Sequence, residues 1–491
     1  MKQKKKLLSM LLVVFLKQAI VAQFPTDMQY QSIAPPAEIV LPDYLESVVD
    51  NSLSDAIQLT RITTYYQPWN WYPTHSYSKK QVWNADQTLL KIRSWRVLNA
   101  TTFEEMQDLD GSVYPSYWSN TNPDLIWSFK KNGDVKKHIV STNITQVVAT
   151  IPGYDVIKLG PGEGNIDKND HYVALVGKKG IDMDVIIFDL QTLQIVHTET
   201  FAGVWDDGGD NFPKYVDWVS ISQSGNYVVI MWNHNTTSGN NPYNGHYGVE
   251  VFNTLDMQYQ NRIISYGNHG DLGYAIDGSE VLVQFYGLYG GGTLYMHKLD
   301  GSGSTVLSTN ADFGVYGHVS CRNINRPGWA YLSHNSAVQS GQMIAVKLDN
   351  SGLTEHFGHH FSSNTTYDKT AMPVASPYGD KVFFRSDFGD SAEANLTYCF
   401  EAKLASVASV QEDGVNRVSV YPNPAHNFIK IDTEKSINNI SIFSVTGRLI
   451  KTIQVDNTNN VGIDVTNLKR GFYYLKVSVE EKSLVEKIII E

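Results

Sequence analysis

The chain is poor in cysteine, with 2 in 491 residues. That excludes a disulfide scaffold and a Cys-rich zinc module. Charge is sparse too: Asp, Glu, Lys and Arg make up 18%, and the net charge is −11. Without the first 22 residues, which carry five lysines, it falls to −16. An acidic chain with no basic patch is a poor partner for nucleic acid or an anionic membrane. Beyond the N-terminus no apolar run approaches the roughly 18 residues that cross a bilayer as a helix, so no membrane span is expected after removal of that segment. Gly-x-Ser-x-Gly, P-loop and His-Glu-x-x-His patterns are missing. Serine-hydrolase, nucleotide and zincin chemistry are therefore disfavoured.

What is present is β-like. Hydrophobic residues reach 42%, with 28 Tyr, 10 Trp and 37 Gly. The length allows roughly two to four domains, or one large domain with an appendage. Residues 1–22 combine a basic start, a ten-residue apolar run at Leu7–Leu16 and small Ala22. This reads as a secretory signal peptide cleaved after Ala22. Residues 23–39 then form an N-terminal extension. Near the other end Val418 and Val420, Ile440 and Ile442, and Tyr473, Leu475 and Val477 alternate, with a Thr446-Gly447 turn between strands. Short alternating strands with Gly turns predict a small β-sandwich over 416–491, joined by a linker at 406–415.

That terminal segment carries Tyr421-Pro422-Asn423-Pro424, a Gly447-Arg448 turn, a strand end at Asp464 to Leu468, and Lys469-Arg470-Gly471-Phe472-Tyr473-Tyr474. In this order the motifs resemble the type A C-terminal sorting domain of the Bacteroidetes type IX secretion system. The resemblance covers about a sixth of the chain. It implies passage through the periplasm and outer membrane, the secretion machinery as partner, and a secreted or cell-surface location. It is silent on what the cargo does.

Residues 40–405 hold an internal repeat, best seen as the tight turn and alternating strand of SPYGDKVFFRSD at 376–387. Turn positions recur at Gln87, Asp124, Asp170, Gly225, Gly278, Gly328 and Gly379, spaced 37 to 55 residues apart. In four copies a second strand begins 14 to 16 residues after the turn. Such units cannot bury both faces alone, so the spacing predicts a seven-bladed β-propeller closing on itself. One stretch, Leu41–Leu59, is the single candidate for an amphipathic helix. The turn-strand unit resembles the WD40-like repeat of TolB-type propellers, with Tyr378 in place of the acidic turn residue. The expected fold class is all-β, a propeller followed by a small sandwich.

Propeller sites gather where loops lead into the inner strands. His269 lies nine residues before Gly278 and His318 ten before Gly328. They read either as caps of blade hydrogen bonds or as a channel-facing pair able to bind a metal or move protons. Trp71, His75 and Trp83 lie in an aromatic loop suited either to core packing or to stacking on sugar rings. His360, beside His359, is a further substrate-binding candidate. Asp206, Asp207 and Asp210 form an acidic loop that is either solvated or a calcium site, without the EF-hand glutamate. Cys321 and Cys399 fall in adjacent blades and can pair outside the cell.

Two loops, GHVSCRNINRPGWAYLS and HHFSSN to ASPYGDKVFFRSD, resemble propeller-type polysaccharide lyases such as the oligogalacturonate lyases. The resemblance implies a histidine, matched by His318, and a Gln/His cluster holding manganese. Tyr367, Thr370 and Met372 stand where that cluster belongs, so a manganese set is not expected. The reading is a secreted carbohydrate-active propeller, a lyase of an acidic polysaccharide. Arg322 neutralises the uronate, His318 or His269 is the base and Tyr367 the acid. The alternative is a non-catalytic propeller that binds glycan or protein.

Overall fold

The computed structural model describes residues 28–490, apart from 31–32, 37–38, 53–55, 66–72, 94–95, 161–162, 206–211, 234–244, 269, 287–292, 309–316, 334–340, 391–395, 406–418, 445–448 and 480–481. Backbone contacts divide the chain into two compact units, Met1–Val407 and Ala408–Glu491.

The first unit is a seven-bladed propeller of antiparallel sheets. Blade one holds Leu89–Ile92, Arg96–Asn99 and Glu105–Asp108, with Trp83 bridged to Leu90 on the inside. Blades two to five are four-stranded meanders that start from inner strands Tyr117–Trp118, Val156–Leu159, Val216–Ile221 and Gly270–Tyr274. Blade six runs from Val319–Ser320 out to Leu353–His359, and Met28–Gln29 pairs on its outer edge. Blade seven takes Val374–Ala375, Lys381–Ser386 and Tyr398–Leu404 from late in the chain. It is completed by Ile57–Arg61 and Ser47–Asp50 from early in the chain. The expectation of a helix at Leu41–Leu59 is thus corrected. Those residues are ring-closing strands, because β-branched Val48, Val49, Ile57 and Thr60 suit a ladder that joins the two ends of the ring. Among the described residues, helical structure is confined to short 3-10 turns such as Val140–Thr142 and Tyr367–Lys369.

Burial explains closure. Each interface between neighbouring blades holds its own apolar cluster, for example Val185, Trp205 and Val228 between blades three and four. The cluster of Ile62, Trp83, Leu90, Val374 and Phe383 seals blade seven to blade one. A fully buried Val, Leu, Ile or Phe contributes about 1.5–3 kcal/mol, so an open ring would forfeit one interface's worth at each cut face.

The repeated turns are built alike. Gln87, Asp170, Gly225, Gly278, Gly328 and Gly379 all have positive φ. In four of them a polar residue three positions before the turn residue caps the turn. Leu89 N donates to Asn84, His171 N to Asp167, Tyr227 N to Ser222 and Lys381 N to Ser376. Neighbouring blades latch there too: Ser119 Oγ donates to Asp170 at 2.5 Å and Ser224 Oγ to Glu280 at 2.5 Å.

In the second unit Phe428–Ser444 pairs with Leu449–Asp464 and Gly471–Val479, flanked by Ser419–Tyr421 and Lys482–Ile490. Ile440, Ile442, Leu475 and Val477 all point into one core with Ile429, Ile431 and Ile488. The sandwich-like expectation holds. The Thr446-Gly447-Arg448 turn lies outside the described residues.

Candidate functional site

The segments that lead into the inner strands meet across the central channel. Tyr77 comes from blade one, Glu163 from blade three, Asp217 from blade four, His318 from blade six and Tyr367 from blade seven. The His318 ring lies edge-on to Tyr77 at 5.4 Å and to Tyr367 at 5.7 Å. The Tyr77 hydroxyl donates a hydrogen bond to Tyr367. His318 and Tyr77 are buried, at 3% and 8% exposure, while Tyr367 is 57% exposed above them. The Tyr367–Lys369 turn is held from behind by Arg385, which donates to the carbonyls of Tyr367 and Thr370 at 2.8 and 2.9 Å.

Lys79 Nζ meets Glu163 at 2.5 Å across the same channel. It also sits 4.5 Å from the centre of the Trp218 ring and 5.6 Å from that of Tyr77. Burial pushes the Tyr77 phenol well above its ordinary range, and Glu163 and Tyr367 add to this. Burial also raises Asp217, with Lys79 opposing and Glu163 adding. Asp217 opens onto a recess of about 250 Å³ that it shares with Trp232 and Tyr266. The His318 ring thus lies edge-on to two tyrosine rings from different blades.

Several residues picked from the sequence lie elsewhere. Trp83 is fully buried, edge-on to Phe383, and presents no face to a sugar. His75 is buried, with Nε2 at 2.6 Å from the Met372 carbonyl. Burial, and then Arg385, pull it down to about 3, so it is a neutral core histidine. His360 is buried, and its Nδ1 accepts from Ser362 N at 3.0 Å. As substrate-binding residues these three are corrected to packing and loop-holding roles. Arg322 is also corrected as the uronate cation. It is 5% exposed, and Nε and Nη2 each bond Asp271 at 2.9 Å. An arginine held by a buried carboxylate in this way is not available to a sugar acid. Trp71, His269, Asp206, Asp207 and Asp210 lie outside the described residues. Cys321 and Cys399 are separate, free and buried. Their sulfurs face different carbonyls, those of Asp271 and Pro73.

Reading the sequence for motifs missed Tyr77, Lys79 and Glu163. The signal was available: Glu163 precedes its turn residue Asp170 by seven and Tyr77 precedes Gln87 by ten, the same stretch of repeat that holds His318.

A family model for the secretion system C-terminal sorting domain matches residues 419–491. The protein is exported to the cell surface or the extracellular space. No curated protein sequence matches the chain. Among solved structures it is similar to an oligogalacturonate lyase from Vibrio parahaemolyticus, at 12% identity and a TM-score of 0.50, covering 77% of this chain and 99% of that one. It is also similar to an oligogalacturonate lyase in complex with manganese, at 11% identity and a TM-score of 0.52, covering 77% and 98%. At such identities the likeness shows the propeller fold. The residues here do not fit manganese. Met372 is buried with its carbonyl bound to His75, the Thr370 carbonyl is bound to Arg385, and among the described residues no three His, Cys, Asp or Glu gather to hold a metal.

Proposed function

We propose that this chain is a carbohydrate-active propeller that cleaves a uronate-containing polysaccharide by β-elimination at the channel mouth. One observation carries the reading: Tyr77, His318 and Tyr367, from three different blades, converge into one aromatic proton-transfer group. In this reaction neutral His318 takes the C5 proton. The C5–H electrons form the C4=C5 double bond as the C4–O bond breaks. Tyr367, the most exposed member, gives its proton to the leaving oxygen and regains one from His318, which returns to its starting form. Lys79 meets the uronate carboxylate by exchanging it for Glu163, its partner at 2.5 Å, whose side chain is 32% exposed, whereas the Asp271 partner of Arg322 is buried. The net charge of −11 gives no long-range attraction for a polyanion, so binding rests on this local cation. The test is ultraviolet absorbance of the unsaturated product on a panel of uronate polysaccharides. Loss of the signal in His318→Ala, with the fold intact, is the expected result; no signal on any of them sinks the reading.

A second reading, a non-catalytic glycan binder, is favoured by the enclosure of His318 beneath Tyr367. Retention on immobilised polysaccharide without product formation would select it. The export route carries its own proposal, that residues 1–22 and most of 416–491 are removed. Intact mass of the secreted protein checks it, and a product retaining Tyr421 to Glu491 counts against the tail's removal.

A further inference from the structure

A small chamber lies where blades one, two, three and six meet. It is lined by Lys80, Lys91 and Arg322 with Gln81, Ser116 and Asn165 among its walls. Arg322 lies four residues past His318, beyond the two-residue inner strand Val319–Ser320. None of its lining residues belongs to the group around His318. The centre of a water molecule can range over about 30 Å³ inside it, space for about two waters or one compact ion.

The charges there do not balance. Arg322 is matched by Asp271, which takes Nε and Nη2. Its Nη1 has no hydrogen-bond acceptor among the described residues. Lys91 is buried and gives two of its three N–H groups to the carbonyls of Arg93 and Ser116, at 3.0 and 3.1 Å. Lys80 finds no hydrogen-bond acceptor among the described residues. It rests 5.3 Å from the centre of the Tyr117 ring. Both lysines feel their confinement. Burial takes Lys80 down to about 8, with Glu163 opposing, and burial and then Lys80 take Lys91 down to about 7. Two ammonium groups that share a small enclosure and lack a carboxylate of their own are costly. Among the described residues no carboxylate bonds either lysine directly.

We infer that this chamber is a binding site for a small inorganic anion of halide size, held by Lys80, Lys91 and the free edge of Arg322. The anion neutralises the lysines and ties blades one and six together at the channel axis. Its role is structural and independent of any chemistry at His318.

The test uses the full chain. Melting temperature is followed while sodium bromide replaces sodium gluconate at constant ionic strength, since gluconate is too large for the chamber. The expected result is a saturable rise of about 2–4 °C that is lost in Lys80→Met, whose melting temperature in gluconate is no lower than that of the parent. Identical melting in the two salts, or an undiminished rise in Lys80→Met, overturns the site. If the variant fails to fold, bromide anomalous scattering from crystals of the parent protein decides. A peak between the Lys80 and Lys91 Nζ atoms supports the site, and a channel without one overturns it.

Discussion

The two stretches of channel around His318 and Arg322 are built from the same inner strands but hold their polar groups in different ways. Around Arg322 the groups belong to the repeat. Arg322 and Cys321 N both bond Asp271 of the preceding blade, and Gln81 reaches the carbonyls of Arg322 and Ala375. Around His318 the groups come from blades one, three, four, six and seven and meet mostly through rings and one ion pair. The difference teaches where to look in such a ring. Close to the turns, the repeat gives polar side chains such as Arg322 and Gln81 partners in other blades. At the other end, loops of unequal length bring unlike groups together across the axis.

The comparison can be broken most directly at Arg322. Arg322→Ala leaves the Asp271 carboxylate buried and unpaired, so it should cost about 3–5 kcal/mol by denaturant titration. A loss below about 1 kcal/mol would mean that the pair is not part of the latch.

Next come the turns. Gly379→Val and Gly278→Val both place a β-branched residue at positive φ, about 1–3 kcal/mol of strain. At Gly379, φ +65°, a Cβ would also stand 2.2 Å from Tyr331 Oη and 2.8 Å from Arg326 Cδ; at Gly278, φ +84°, it meets open space. Gly379→Val should therefore lower the melting temperature more than Gly278→Val. Equal losses would show that strain alone matters.

These turns were also the legible part of the sequence. A tight turn needs positive φ at one residue, and Gly or Asp marks it locally. Gln87 and Asp170 adopt the same conformation without being glycine, so spacing identified them where composition did not. Trp83 and His75 were misread because an aromatic loop looks the same whether its rings face solvent or Phe383. Only the packed neighbour distinguishes the two.

A smaller effect concerns pH. Lys80 and Lys91 have folded values near 8 and 7, against about 10.4 in the unfolded chain. The unfolded chain binds more protons between these limits, so in halide-free buffer stability rises from about pH 7 towards pH 9.5. The groups facing the lysines are Tyr117, Arg322 with Asp271, and Glu163. Bromide, by holding both lysines charged, should flatten the slope. A slope unchanged by bromide argues against the lysines as its source.

The smallest stability effect is expected at the mouth. His318→Phe keeps a ring between Tyr77 and Tyr367, so melting should move by no more than the worth of an aromatic pair, about 0.5–1.5 kcal/mol. Turnover of a uronate polysaccharide should disappear. Activity that survives the substitution removes His318 as the base.

The sequence by itself determined the repeat, the number of blades and the sorting domain. These rest on local turn chemistry, strand alternation and motif order, which short stretches of chain carry on their own. It also marked His318 and Tyr367 as residues of interest. Only the tertiary structure decided that Arg322 serves Asp271, that Trp83, His75 and His360 are interior, and that Lys79 and Glu163 share the channel with His318. Those outcomes depend on which blades face each other across a closed ring. Such contacts join residues up to about 300 positions apart, as in Trp83 and Phe383, and no local pattern encodes their meeting.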